Sequence, residues 1–235
     1  MKLNFGKEVI GGIIDVIFPR HCIVCGEVIF GKYETHLCLC CQGSLPLTYF
    51  ILGTQNAIEK TFWGRCNVVS AGSFFYYNAG SNYANILKEL KYHGNKSIGI
   101  QMGSDYGYWL KNNSPEIQSI ELIIPVPLHE KKLKTRGYNQ AECVAIGLGK
   151  ALNLEVSTSS LLRLANKKTQ TKKNRIERLQ NAEQIYSFKD LIGKVKHIAL
   201  VDDVITTGAT IESCILAIHK VKDIKITVLS LAYTN

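Results

Sequence analysis

Residues Ile198 to Thr210 read IALVDDVITTGAT, and no other stretch constrains the fold as tightly. Four apolar residues, Ile198 to Val201, run directly into Asp202 and Asp203. A short apolar run bounded by a turn signal suits a strand buried on both faces of a parallel sheet. Thr206, Thr207, Gly208, Ala209 and Thr210 come next, and apolar residues then recur at helical spacing through Ile211, Cys214, Ile215, Ile218 and Val221. The order is strand, acidic turn, small hydroxyl-bearing loop, helix. Such a loop presents backbone N–H groups at a helix N-terminus, where unpaired donors and the helix dipole favour a phosphate. Glycine permits close backbone approach, and the three threonine hydroxyls add donors. Two carboxylates just before the loop can accept hydrogen bonds from sugar hydroxyls or help to hold Mg²⁺. The combination fits a ribose 5-phosphate. An ATPase strand can also end in two aspartates, but its partner G-x-x-x-x-G-K-[ST] is absent, as is a dinucleotide-binding G-x-G-x-x-G.

A chain of 235 residues can hold one sizeable core and a small appendage. No apolar run approaches the length needed to cross a bilayer. Ahead of Pro19, the apolar run that follows Lys2 and Lys7 is interrupted by Glu8 and Asp15 and lacks a small-residue cleavage site. An amphipathic helix and a cytoplasmic protein are expected. The formal charge is +9, and its location matters more than its size. Between Leu128 and Arg178 twelve Lys and Arg face four Glu, a net of +8 in one segment. That concentration implies a polyanionic partner: a pyrophosphate-bearing substrate, nucleic acid, or both.

Five of the eight cysteines fall between Cys22 and Cys41. The pairs Cys22-x-x-Cys25 and Cys38-x-x-Cys41, twelve residues apart, read as two knuckles supplying a tetrahedral Cys₄ zinc site. Cys40 could replace Cys38 or Cys41, and His21 and His36 are conceivable substitutes. Disulfides suit an exported protein, and nothing here marks export. Cys66, Cys143 and Cys214 lie in apolar settings as core fillers.

Residues 1–60 therefore form an N-terminal helix and zinc-binding module, too short for a large core of its own, and residues 61–235 a second domain. Val68 to Tyr77 reads as a strand or hairpin, and Ser81 or Asn82 caps a helix running to Tyr92. His93-Gly94-Asn95 breaks that helix, and another follows to about Leu110. Glu121 to Pro127 is a strand leading into a basic loop, Leu128 to Gln140, and a helix from about Ala141 to Leu152. Leu161 to Leu164 ends a further strand, residues 165–177 form a polar basic loop, and Ile224 to Leu231 supplies a last parallel strand. Apolar strands alternating with helices indicate an α/β sheet. Ligands of such sheets gather at the carboxyl ends of the strands, so the basic loop and the acidic loop can share one cleft.

The stretch from Ile198 to Thr210 resembles, over thirteen contiguous positions, the phosphoribosyl pyrophosphate (PRPP) signature of type I phosphoribosyltransferases. End to end, the chain resembles the ComF family (also ComF/GntX), competence-associated proteins in which a zinc knuckle is fused to a phosphoribosyltransferase-like domain. FPRHCIVCG, LCLCC, LKELKYHG, PVPLHEKKLKTRGYNQ, VDDVITTGAT and the series Arg163, Gln170, Arg178, Asn181 carry it. The PVP segment is also similar to the pyrophosphate-loop strand of glutamine PRPP amidotransferases. The crowded LCLCC departs from the pattern.

The resemblance implies an α/β fold, a type I phosphoribosyltransferase-like parallel sheet flanked by helices, with a small N-terminal zinc-knuckle module. It implies PRPP with Mg²⁺ as ligand, structural Zn²⁺, and transfer of phosphoribosyl to an acceptor that no motif identifies, with release of pyrophosphate. Asp202 and Asp203 would serve as the catalytic carboxylates, taking the ribose hydroxyls directly or through Mg²⁺. Thr206, Thr207, Gly208, Ala209 and Thr210 would cradle the 5-phosphate, and Lys134 and Arg136 would meet pyrophosphate. Arg163, with Lys167, Lys168 and Arg175, would close over the site as a lid. Association with DNA uptake also fits a non-catalytic PRPP-binding or single-stranded-DNA-handling module working with the uptake machinery.

Overall fold

The computed structural model describes residues 19–29, 35–164, 185–190 and 193–234. The helix expected ahead of Pro19, the basic loop 165–177 with Lys167, Lys168, Gln170 and Arg175, and Arg178 and Asn181 lie outside these residues.

The chain passes from the cysteines through α1 (Leu39–Gly43) and α2 (Ala57–Phe62) to β1 (Ser70–Tyr76), then α3 (Ala84–Tyr92) and α4 (Lys96–Asn113). Next come β2 (Leu122–Pro125), α5 (Glu130–Arg136), α6 (Gln140–Leu152), β3 (Glu155–Val156) and β4 (Leu161–Arg163). The last elements are β5 (Tyr186–Phe188), β6 (His197–Ile205), α7 (Ala209–His219) and β7 (Lys225–Tyr233). Five strands form one parallel sheet in the order β1-β7-β6-β2-β3, so β6 lies at its centre. A parallel α/β sheet of this kind is compatible with a phosphoribosyltransferase-like fold.

Alternation along β6 explains how the sheet is covered. Ile198 and Leu200 face a layer that contains Ile58 and Phe62 of α2 and Ile211, Ile215 and Ile218 of α7. Ala199 and Val201 face the opposite layer, with Leu90 of α3, Met102 of α4 and Val144 of α6. Each fully buried branched side chain contributes about 1.5–3 kcal/mol of hydrophobic stabilisation. Helices α4 and α6 pack with their backbones close together. A methyl group on Gly103 would overlap the Val144 carbonyl, and one on Gly147 the Ile100 carbonyl. The cysteine segment rests on the α3–α4 side, where Cys22, Val24, Leu37 and Cys41 share the apolar layer with Leu87 and Ile98. Polar bonds pin it there: Tyr83 Oη donates to the Cys41 carbonyl (3.1 Å), and Asn85 Nδ2 to the Ile23 carbonyl (3.1 Å).

The elements differ from the sequence expectation in four places. The run from Ser81 enters α3 through a turn, in which Ser81 Oγ accepts from Tyr83 N, and the helix starts at Ala84 without a side-chain cap. The basic segment after Pro127 is not simply a loop, because it contains α5. His129 Nδ1 caps that helix by accepting from Lys131 N, Glu130 pairs with Lys134 one turn on, and Gly137 ends it at φ +76°. Leu161–Arg163 stays outside the main sheet and pairs antiparallel with β5. Finally, β6 does not stop at the acidic pair. Pairing with β7 continues through Asp202 opposite Ser230 to Ile205 opposite Tyr233, so both aspartates sit on strand backbone.

Candidate functional site

The chain leaves β6 at Ile205 and enters α7 at Ala209, and Val204 to Ile211 wrap a small recess of about 40 Å³. Gly208 is the N-cap of α7, at φ +71°, and supplies no side chain to the first-turn donors. Those N–H groups are left for an exogenous acceptor, at the positive end of the helix dipole. Glycine is required there twice over. The left-handed backbone disfavours any side chain, and a Cβ would fall 2.9 Å from Phe62 Cε1. Arg65 braces the loop from outside, donating to the Thr207 carbonyl (2.8 Å) and pairing with Glu212 in the first turn of α7. Nothing local in the sequence points to Arg65, which reaches the loop from more than a hundred residues away.

Asp202 and Asp203 lie where the recess opens into a cavity of about 350 Å³ at the carboxyl ends of β2 and β6. Each carboxylate uses one oxygen locally: Asp203 N donates to Asp202 Oδ1 (2.8 Å) and Val204 N to Asp203 Oδ1 (3.0 Å). Lys91, from the last turn of α3, takes the remaining oxygen of Asp203 at 3.0 Å. Burial, and then the charge of Asp203, push the Asp202 carboxyl well above the ordinary carboxylate range, while Lys91 pulls the other way. Lys91 pairs with Asp203 and not with Asp202 among the described residues, so ionisation of Asp202 lacks a paired cation of its own. A cationic or hydroxyl-bearing ligand would relieve it.

Thr206 and Thr210 line the cavity together with Arg136 and Arg163; Thr207, Gly208 and Ala209 line the adjoining recess. Arg136 donates to Gln140 Oε1 (2.9 Å), which holds its guanidinium at the cavity wall. Arg163, expected in a lid, instead belongs to β4, its guanidinium against the Tyr186 ring and donating to the Tyr186 hydroxyl (3.2 Å). Its Nε is buried without a partner among the described residues. Lys134 is not among the lining residues. It is 77% exposed and paired with Glu130 at 3.0 Å on the outer face of α5. Lys132, on the neighbouring face, lines the cavity in its place. Lys91, Lys132 and Tyr186 were not singled out by sequence reasoning. Lys91 lies within LKELKYHG, and the acidic pair it meets is the signal that could have found it. Asn139 bridges the walls: Oδ1 caps α6 at Ala141 N, and Nδ2 donates to the Val126 carbonyl.

In the segment packed on α3 and α4, ligand atoms of Cys22, Cys25, Cys38 and Cys41 all lie within 4.8 Å of one another. Cys25 Sγ and Cys38 Sγ are 3.7 Å apart. Zinc held by four thiolates at about 2.3 Å sets its sulfurs about 3.8 Å apart, whereas a disulfide needs about 2.05 Å. The four cysteines could therefore bind zinc. Cys40 is exposed and outside the cluster, and the imidazoles have other partners: His21 bonds the Gly26 carbonyl (2.9 Å), His36 the Ser97 hydroxyl (2.8 Å). Burial raises the Cys22 thiol, but hydrogen bonds from the Cys25, Cys38 and Val24 backbone outweigh it and hold it down at about 6. Burial and the neighbouring thiols push Cys41 up. Four thiols this close cannot all ionise unless a dication sits among them.

No helix among the described residues is long and apolar enough to cross a membrane. No family model matches the chain. It is 33% identical over 125 residues, 53% of its length and 48% of the relative's, to Competence protein ComFC of Bacillus subtilis. It is 35% identical over 115 residues, 48% of its length and 50% of the relative's, to Competence protein F of Haemophilus influenzae. The chain spans about half the length of the curated relatives it matches. These two likenesses support assigning the chain to the ComF family.

Proposed function

We propose that the cleft binds PRPP with Mg²⁺ and transfers its phosphoribosyl group to an acceptor nitrogen, in a protein with a competence-associated role. One observation carries this reading: an uncapped helix N-terminus lines a recess that adjoins the cavity into which an adjacent carboxylate pair and a basic wall open. The 5-phosphate would sit on the amides and hydroxyls of Thr206 to Thr210, and the ribose hydroxyls on Asp202 and Asp203. Lys132, Arg136 and Arg163 would meet the pyrophosphate, the unpartnered Nε of Arg163 offering a donor. The donor set fits a Mg²⁺ carried in on substrate oxygens, because two carboxylates, one already held by Lys91, form no closed cage. When bound, that ion supplies charge neutralisation to the departing pyrophosphate. In the transfer, the acceptor lone pair forms a bond to C1 as the C1–O bond to pyrophosphate breaks. The bonding electrons leave with pyrophosphate, and the acceptor proton goes to solvent. Asp202 and Asp203 stabilise the positive charge that develops on the ribose ring, so no covalent nucleophile is needed.

PRPP with Mg²⁺ should raise the melting temperature, since a ligand at a hundred times its Kd stabilises by about 2.7 kcal/mol. Asp202→Ala with Asp203→Ala should remove that response and keep the fold; a response that survives overturns the site. Acceptor-dependent release of pyrophosphate then distinguishes transfer from binding alone. The second reading, a non-catalytic module that handles single-stranded DNA, is favoured by the names of the two relatives and by the basic segment 128–178. It requires DNA affinity that falls steeply with salt.

A further inference from the structure

Glu212 stands in the first turn of α7, at the helix end that would hold the 5-phosphate. An acid at that place takes the positive end of the dipole for itself and repels an anion bound nearby. The chain sets Arg65 against it. Arg65 Nε donates to Glu212 Oε2 (3.1 Å), and Nη2 meets the same oxygen. Arg65 Nη1 donates to the Thr207 carbonyl (2.8 Å) and to the Thr61 carbonyl (3.1 Å). One guanidinium therefore holds the acid, the loop and the last turn of α2 together, a task suited to its planar fork of donors.

The bond to Thr207 also fixes a direction. In a planar trans peptide the carbonyl and the following N–H point to opposite sides. Holding the Thr207 oxygen toward Arg65 turns the Gly208 N–H away from it, and both residues line the small recess. The brace is itself anchored from behind. Asn56 Oδ1 accepts from Ile58 N and Glu59 N, and its Nδ2 donates to the Ala71 carbonyl (2.7 Å). Buried Glu59 accepts from Ala71 N (3.1 Å) and Gly53 N (2.7 Å). These bonds fasten α2 to β1, and Thr61 and Phe62 of α2 lie against the Gly208 backbone.

We infer that Arg65 is a positioning residue for the 5-phosphate and that Glu212 is its counterweight. The guanidinium sets the Thr207–Gly208 peptide and offsets the charge of Glu212, while the acid holds phosphate affinity below what Arg65 alone would give. The inference rests on the reading of the cleft as a PRPP site. A pair that served only the fold would make its two halves equivalent, because losing either one breaks the same contact. The charge arrangement instead requires that the two losses act on phosphate binding in opposite directions.

The test compares Arg65→Gln, Glu212→Gln and the double variant with wild type, all as the full chain. Calorimetry reads the binding of ribose 5-phosphate and of PRPP with Mg²⁺ at low and high salt. The first probe lacks pyrophosphate and so reports on the loop; the second reports on the whole cleft. Arg65→Gln should weaken both about tenfold, through a misplaced peptide and an uncovered carboxylate. Glu212→Gln should strengthen both about twofold or more, and high salt should shrink the gain. The double variant should bind more tightly than Arg65→Gln alone. Weaker binding by Glu212→Gln, or a double variant no better than Arg65→Gln, overturns the counterweight. Wild-type affinity in Arg65→Gln overturns the positioning role. Should Arg65→Gln fail to fold, the sign of the Glu212→Gln effect decides. PRPP binding that no variant alters defeats the brace while the cleft reading stands; absence of PRPP binding in the wild type defeats the cleft reading itself.

Discussion

The cysteine cluster and the cleft are built in opposite ways. All four clustered cysteines come from twenty residues, and short backbone bonds such as Gly26 N to the Cys22 carbonyl and Gln42 N to the Cys38 carbonyl shape the two knuckles. The cleft draws on Lys91, Arg136, Arg163 and Asp202, from four separate elements, and only tertiary packing brings them together. A local site tolerates a small core because a metal can tie it together; a dispersed site needs a large core to hold it open. The two should therefore fail differently, and each of the following variants presses on that contrast.

The largest effect is expected at the cluster. Cys41→Ser should remove bound zinc, about one equivalent in the wild type, and lower Tm by about 10 °C or more, since losing a structural metal costs several kcal/mol. Exposed Cys40→Ser should leave metal content and Tm alone. Equal zinc in the two variants, read by metal analysis, would contradict the ligand set.

Gly208→Ala comes next. Strain at φ +71° and the clash with Phe62 should cost about 2 kcal/mol and abolish the thermal response to PRPP, because the same backbone forms the cradle. Retained response with lowered Tm would mean that the loop adapts and the cradle does not depend on this geometry.

Asp202→Asn should act in the other direction on stability. The folded protein raises this carboxyl, so it keeps a proton that the unfolded chain releases near pH 4. Stability from this group is therefore full below about pH 4 and declines as pH rises through the interval up to the folded value. The variant should lack that decline and melt higher than the wild type near neutrality, while losing the response to PRPP. Parallel Tm–pH curves for the two proteins would refute the assignment of strain to this carboxylate.

The smallest effect belongs to Lys134→Ala. Its exposed pair with Glu130 should contribute no more than about 0.5 kcal/mol, and PRPP affinity should not change. Arg136→Ala, two residues further along the helix and lining the cavity, should weaken PRPP about tenfold or more. Matching losses in both would mean that α5 reorients when ligand arrives.

What could be read directly was whatever is contiguous. The acidic pair with its hydroxyl-bearing loop, the two cysteine pairs and the alternation of strands and helices depend on neighbours within a few residues, and short-range geometry follows from short-range chemistry. Segments whose partners are remote were harder. Leu161 to Arg163 looks like any short strand, yet it pairs with residues 186–188 outside the main sheet, which moves Arg163 from a lid to a fixed wall. The segment after Pro127 looks like a basic loop because its lysines hide the cap at His129 and the stop at Gly137.

Sequence alone determined that this chain forms an α/β sheet with a phosphate-type loop after its central strand and a four-cysteine cluster near its start. Tertiary structure alone decided which cations share the cleft. Lys132 and Lys134 are chemically alike and nearly adjacent, yet helical rotation sends one to the cavity and the other to Glu130. Lys91 is one lysine among many until α3 packs on the sheet and carries it to 3.0 Å from Asp203. A side chain's type sets what it can bind; the packing of its element, through many weak apolar contacts, sets what it meets.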